Sequence, residues 1–263
     1  MEMPQPAPAM SGVSVVRTPS DRARREARPR RAAQVGSGRV RETPDADAIH
    51  VLIVDDHAAL AGALAFTIDG YPDLRCVAMA TTLAEARTLV AQLQPDVVLL
   101  DVLLPDGNGI EAVPSIVTAS PGTRVLILTG HTDVDLLSRA ASHGASGFLP
   151  KESSISAVIS AIRAAVAGQM LVDGPTLATI LGRLADTSRR ATPGPAAQVT
   201  LTRREADVLR LMGQGLDPQA ISPVLGITLN TCRGYQKTLM AKLGAHSQLE
   251  AVVIGTRLGL LPR

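Results

Sequence analysis

Asp55, Asp56, Asp101, Thr129 and Lys151 are the residues of this chain best placed to do chemistry together. Each ends or directly follows a short apolar run that reads as a buried strand: Val51–Val54, Val97–Leu100, Val125–Leu128 and Gly147–Leu149. In an open parallel α/β sheet the carboxyl ends of the strands form one edge, and ligands bind there at the switch point of the strand order. Three carboxylates meeting at one crevice repel one another unless a cation or proton intervenes, and an oxygen-rich site with room for phosphate suits Mg²⁺. Thr129 and Lys151 would hold phosphoryl oxygens there, and Asp101 would attack as the nucleophile. Taken singly, the acids would cap a helix or a turn, the threonine would end a strand and the lysine would sit in solvent. Their coincidence on one sheet edge is what points to a site.

The elements that must position these groups follow from apolar periodicity. From His50 the pattern alternates strand and helix five times: Val51–Val54 then Ala58–Ile68, Arg75–Met79 then Leu83–Leu93, Val97–Leu100 then Ile110–Thr118, Val125–Leu128 then Val134–Ser142, and Gly147–Leu149 then Ile155–Ala167. Five such units predict a doubly wound five-stranded parallel sheet in the order 2-1-3-4-5, with the first and third strands neighbours at about 4.8 Å. Met170–Arg190 carries a further helical pattern, and Ala191–Ala197, with two prolines, reads as a linker. From Leu201 the pattern is helical in four short pieces. The reading divides the chain into a disordered tail (1–48), an α/β domain (49–169), a linker with a short helix (170–199) and a small all-α domain (200–263).

The net charge of +2 conceals a polar arrangement. Residues 50–170 carry six Lys and Arg against twelve Asp and Glu, a net of −6, while residues 201–263 carry eight against four, a net of +4. An acidic module and a basic one suggest different partners, a cation and a nucleic acid. The first 48 residues lack the large apolar side chains needed to offset ordering entropy; the basic cluster from Arg22 to Arg31 reads as part of a solvated tail, with contact to nucleic acid as the alternative. No apolar stretch reaches the roughly 18 residues a membrane helix needs, no secretory signal is read at the N-terminus, and Cys76 and Cys232 have no metal-ligand spacing. The expectation is a cytoplasmic protein with free thiols and no membrane partner.

Residues 50–170 resemble the receiver domain of two-component response regulators. The resemblance rests on Val54-Asp55-Asp56-His57, Leu99-Leu100-Asp101, Leu104-Pro105-Asp106-Gly107, Thr129 and Gly147-Phe148-Leu149-Pro150-Lys151. It implies that Asp101 accepts phosphate from a sensor histidine kinase, and that Mg²⁺ is held by Asp56, Asp101 and the carbonyl of Leu103, with Asp55 acting largely through water. It also implies that Thr129 and Phe148 are switch residues. Phe148 stands where many relatives carry tyrosine, so a hydroxyl-dependent contact of the switched state is not expected.

The C-terminal region opens on Leu201-Thr202-Arg203-Arg204-Glu205, with Thr202 and Glu205 spaced as a capping box. A short helix over Ala220–Leu225, the turn Gly226-Ile227-Thr228 and a longer helix over Leu229–Leu243 make a helix-turn-helix pattern, and Gln248–Leu258 a fourth helix. Residues 200–261 resemble the LuxR-type DNA-binding domain, through that opening motif and Gly215-Leu216, Leu225-Gly226-Ile227, Asn230-Thr231 and Ala241-Lys242-Leu243-Gly244. The resemblance makes Leu229–Leu243 the recognition helix. Arg233 and Lys237, four apart on one face, are the candidates for base edges; Asn230, Thr231, Tyr235 and Lys242 are candidates for phosphate. Pro223, Gly234 and Gln236 depart from the family pattern, and Gly234 costs the recognition helix roughly 1 kcal/mol relative to Ala.

The reading is therefore a transcriptional response regulator switched by phosphorylation of Asp101. Its expected partners are a sensor histidine kinase, promoter half-sites of double-stranded DNA, a second copy when phosphorylated, and RNA polymerase as a further candidate. One alternative is a DNA-binding regulator whose receiver responds to something other than phosphate. Another is an enzyme, since Gly107-Asn108-Gly109-Ile110-Glu111-Ala112 fits a dinucleotide fingerprint. That motif follows the third strand only after Leu104-Pro105-Asp106, lacks an acid for a ribose hydroxyl on the next strand, and leaves the acid cluster unexplained. No external substrate is expected.

Overall fold

The computed structural model describes residues 47–130, 133–190 and 199–261. The tail as far as residue 46 and the Pro-rich linker at 191–197 lie outside the described residues, and so do the expectations for them.

Five strands form one parallel sheet: β1 (Ile49–Val54), β2 (Leu74–Ala80), β3 (Val97–Asp101), β4 (Arg124–Thr129) and β5 (Gly147–Pro150), in the order β2-β1-β3-β4-β5. Five helices cover its faces: α1 (Ala58–Asp69), α2 (Leu83–Leu93), α3 (Gly109–Ala119), α4 (Val134–Ser142) and α5 (Ile155–Val166). The burial pattern explains the sequence signal. Val97–Asp101 of β3 is buried throughout, as expected of a strand covered on both faces, whereas β2 alternates buried and half-buried residues at the sheet edge. One apolar layer gathers α2 and α3 under the sheet around Leu52, Leu100 and Ile127; the other gathers α1 and α5 around Ile53, Leu99 and Leu126.

Loop chemistry fixes the ends of these helices. Thr82 caps α2 through Glu85 N–H at 3.2 Å, and Asp106 reaches across to accept from the N–H groups of Leu83 (2.8 Å) and Ala84 (3.0 Å). Those two backbone donors hold the Asp106 carboxyl below the ordinary carboxylate range. A two-residue antiparallel ladder, Leu103–Leu104 with Gly107–Asn108, precedes α3. The Gly-x-Gly run is structural: a Cβ on Gly109 would lie 2.0 Å from the carbonyl oxygen of Asp101, so only glycine lets α3 start this close to β3.

After α5 the chain runs alongside the start of β5, where Phe148 N–H donates to Leu171 O at 3.3 Å. The next helix, α6 (Gly174–Arg190), begins later than the apolar pattern suggests because Asp173 turns the chain by accepting from Thr176 N–H at 2.8 Å. Four further helices follow: α7 (Arg203–Gly213), α8 (Pro218–Leu225), α9 (Leu229–Leu243) and α10 (Gln248–Arg257). Helix α8 starts two residues before the expected position, since Pro218 opens it behind the cap Asp217. The capping box at Thr202 and Glu205 forms as its spacing requires, and Gly226 and Gly244 end α8 and α9 at φ 63° and 66°.

The C-terminal helices pack onto the sheet domain. A third apolar cluster joins Leu137 and Ala141 of α4, Leu177, Ile180 and Leu184 of α6, and Leu249, Val252 and Val253 of α10. Polar contacts fasten the same junction. Arg183 of α6 is paired with Asp135 of α4 at 2.7 Å, Ser247 Oγ donates to Ala145 O at 2.8 Å, and Arg124 Nη1 donates to His246 O at 2.5 Å. Gln248 Nε2 donates to Gly168 O, and Arg257 Nη2 to Ser142 Oγ at 2.8 Å.

Candidate functional site

Register alone brings the acids together. Val54 pairs with Leu100 in the β1–β3 ladder, so Asp55 and Asp101, one residue further on, end level at the same edge. Asp101 is level with Leu128, which puts Thr129 next along β4, and Thr129 is itself level with Pro150, the residue before Lys151. Lys151 N–H donates to Thr129 O at 2.9 Å, which anchors the lysine at the mouth of the crevice.

Lys151 Nζ lies 2.6 Å from Asp101 Oδ2 and 3.0 Å from Asp55 Oδ2. Burial works against its charge, but the hydrogen bonds and negative charges of Asp101 and Asp55 outweigh burial and lift its pKa above the ordinary lysine value. Asp55 and Asp101 are buried, as is Thr129, while Asp56 opens to solvent. Oxygen or nitrogen atoms of Asp55, Asp56, His57 and Asp101 all fall within 4.8 Å of one another. Three carboxylates against one ammonium leave an excess of negative charge, and the buried Asp55 Oδ2 has to share the Lys151 ammonium with Asp101, which lies closer to it. This donor set fits a divalent cation.

The structure thus brings together Asp55, Asp56, Asp101, Thr129 and Lys151. Leu103 follows two residues after Asp101, and its N–H donates to Asp101 Oδ1 at 3.4 Å. Phe148 lies on β5 and packs against both the α2–α3 layer and the C-terminal apolar cluster, which makes it a bridge between the two. Two residues that stand within the quoted motifs contribute in ways those motifs did not assign. His57 joins the acid cluster, and Asp106 fastens the loop after β3 to α2. The former stands beside the acid pair in sequence; the latter acts across 23 residues and leaves no local signal.

On α9, Asn230, Thr231, Arg233, Gly234, Lys237 and Thr238 are exposed, while Cys232, Gln236, Leu239 and Leu243 face inward. Arg233 and Lys237 therefore share one solvent-facing stripe. The hydroxyl of Thr231 lies 2.8 Å from that of Thr228, at the cap of the helix. Tyr235 is partly buried against the C-terminal cluster. Lys242 Nζ is tied to Glu205 Oε2 at 2.7 Å and to Thr200 O at 3.4 Å, so contact with phosphate would require it to leave partners that fasten α9 to α7.

Gln236 buries an amide whose Nε2 has no hydrogen-bond partner among the described residues. An unmet buried donor costs about 1–3 kcal/mol. Gln236→Met is accordingly expected to stabilise the protein by about 1 kcal/mol, read as a higher urea midpoint with unchanged slope. A lower midpoint would show that the amide is satisfied in solution.

Two family descriptions match this chain: the response regulator receiver domain over residues 51–163, and the bacterial regulatory proteins of the luxR family over residues 199–254. The DNA-binding transcriptional activator DevR/DosR of Mycobacterium tuberculosis (strain ATCC 25618 / H37Rv) is 32% identical over 210 residues, covering 80% of this chain and 95% of that protein. The transcriptional regulatory protein LiaR of Bacillus subtilis (strain 168) is 29% identical over 209 residues, covering 80% and 97%. Among solved structures, a LuxR-family two-component response regulator from Aurantimonas sp. SI85-9A1 is 30% identical, covering 52% of this chain and 97% of that one, with a TM-score of 0.48. The chain belongs to the response regulators that join a receiver domain to a LuxR-type DNA-binding domain. It is a DNA-binding transcriptional regulator of a two-component system.

Proposed function

We propose that Asp101 is the phosphoacceptor of this regulator and that its phosphorylation controls the hold of the receiver on the DNA-binding helices. The observation that carries the reading is the placement of Lys151 Nζ within 3.0 Å of both Asp55 and Asp101, beside Thr129 at one sheet edge. Mg²⁺, held by Asp56, Asp101 and the Leu103 carbonyl with Asp55 acting through water, would supply charge neutralisation for phosphoryl transfer. Asp101 provides the attacking carboxylate oxygen and takes the phosphoryl group from a phosphohistidine of a sensor kinase, whose imidazole leaves. Lys151 then exchanges its 2.6 Å contact with the Asp101 carboxylate for a phosphoryl oxygen. The Thr129 hydroxyl is drawn toward the same group.

Phe148 gives that change a route outward, because its ring touches the apolar cluster to which α4, α6 and α10 all contribute. Inward movement of Thr129 lets Phe148 follow, and the α4 face repacks. The helix α10 is then released from Ala145 and Gly168, and the DNA-binding module becomes free to pair with a second copy on adjacent half-sites. Arg233 and Lys237 read base edges while Asn230 and Thr231, at the start of α9, meet phosphate. No external substrate is involved, and the setting is the cytoplasm; no helix among the described residues is long and apolar enough to cross a membrane.

The test is incubation of the full chain with a small phosphodonor, with and without Mg²⁺, followed by intact mass. One added phosphoryl group that requires the metal is the expected result. An unchanged mass under both conditions would remove Asp101 phosphorylation from the account.

A further inference from the structure

We propose that His57 is a nitrogen ligand of the acid pocket and biases it toward first-row transition dications, Mn²⁺ among them, over Mg²⁺. The inference rests on the cation-binding reading of that pocket and adds a residue and a metal preference to it.

His57 occupies the cap position of α1, where a side-chain oxygen ordinarily accepts from the first turn, yet its ring makes no capping hydrogen bond. The backbone N–H of His57 donates to Asp55 Oδ1 at 2.8 Å, a local turn that aims the side chain back at the acids. Its Nδ1 lies 2.9 Å from Asp56 Oδ1 and 3.2 Å from Asp55 Oδ1. Ligands in neighbouring positions around an ion held at about 2.1 Å lie about 3.0 Å apart, and opposite ones about 4.2 Å. In this structure the ring is held by these polar contacts to Asp55 and Asp56, at separations that also suit the short edge of such a shell, and the whole set of Asp55, Asp56, His57 and Asp101 fits within 4.8 Å.

The buried side of the pocket supplies only oxygen and the Lys151 ammonium. His57 enters from the open side, with 70% of its side chain exposed, so it can turn onto an ion without disturbing the core. An imidazole adds little for Mg²⁺, which prefers oxygen and retains water, but it adds affinity for first-row transition dications, least for Mn²⁺ and more for Co²⁺ and Ni²⁺. The chemistry of this one side chain therefore acts on metal preference more than on metal capacity.

The experiment uses the full-length protein loaded with Mn²⁺ and examined by pulsed EPR, together with calorimetric titration of Mn²⁺ and of Mg²⁺. Wild type should show hyperfine coupling to a directly bound imidazole nitrogen, and both His57→Ala and His57→Gln should lose it. Mn²⁺ affinity should fall on the order of tenfold in the variants while Mg²⁺ affinity stays within about twofold. Since the ring caps nothing, the variants should keep the wild-type circular dichroism. Mn²⁺ bound without nitrogen coupling, or with coupling that survives His57→Ala, overturns the role of His57 and leaves the acid pocket standing. Failure of wild type to bind either ion overturns the cation reading beneath it.

Discussion

Asp101→Asn should abolish both phosphoryl uptake and any phosphodonor-dependent rise in DNA affinity, while leaving the protein folded. The side chains are nearly the same size, and Asp101 is almost wholly enclosed at the end of β3, so the sheet edge keeps its shape. What changes is chemistry: an amide oxygen does not form the acyl phosphate, and Lys151 loses its 2.6 Å partner. Removing one member of a buried ion pair commonly costs 3–5 kcal/mol, roughly speaking, because the other charge is stranded. Here the ammonium keeps Asp55 at 3.0 Å, and one negative charge leaves a crowded cluster, so the loss of stability should fall below that range. The measurement is intact mass after phosphodonor treatment, paired with a DNA-binding titration on the same samples. An undiminished mass gain in the variant would move the phosphoacceptor elsewhere and dissolve the proposed mechanism.

Arg233→Ala and Lys237→Ala carry the second large expectation, on the DNA side. Both residues project from the exposed stripe of α9, one turn apart, and among the described residues no ion pair holds them back in the fold. A bidentate contact to a base is worth about 1–3 kcal/mol of discrimination, so each change should cut specific binding between about fivefold and a hundredfold and flatten the preference among sites. Asn230→Ala should behave differently, weakening specific and non-specific DNA by the same factor, because a phosphate contact positions without specifying. The charge changes should also reduce the steepness of the salt dependence by about one unit per phosphate neutralised, if the side chain meets phosphate, and leave it nearer wild type if it meets a base. Competition titrations at two salt concentrations separate these outcomes. Equal losses on all sequences for Arg233→Ala would reassign that residue to the phosphate backbone.

The DNA contacts also bear on how the two halves of the molecule communicate. In the present arrangement the Arg233–Lys237 stripe of α9 is exposed, whereas α10 is buried against α4 and α6. Glu250 lies within this junction, its carboxylate close to the backbone at Gly144, and burial raises its pKa above the ordinary glutamate value. A change at Asp101 that reached α4 would therefore be felt first at α10, not at Arg233 or Lys237.

Much of this was legible in the chain. Apolar runs of four or five residues separated by helical periods are local signals, and they located all five strands and nine of the helical segments nearly to the residue. Placing Asp55, Asp101, Thr129 and Lys151 at strand ends then required only that the strands be parallel, since parallel register puts their carboxyl ends level. The capping box of Thr202 and Glu205 and the turn opened by Gly226 were equally local, because each is satisfied within its own turn.

Other features depended on what each face meets. A helix such as α6 or α10 announces an apolar stripe, but periodicity does not say which partner covers it; only the fold places both against α4. The turn of His57 toward Asp55 and Asp56, the engagement of Lys242 by Glu205 and the enclosure of the Gln236 amide are likewise decided by neighbours in space. Sequence thus determined where the reactive groups stand along the sheet edge, because backbone register is set by short-range patterning. Tertiary structure decided which side chains are held and which are offered, because charge pairing and burial join residues far apart in the chain.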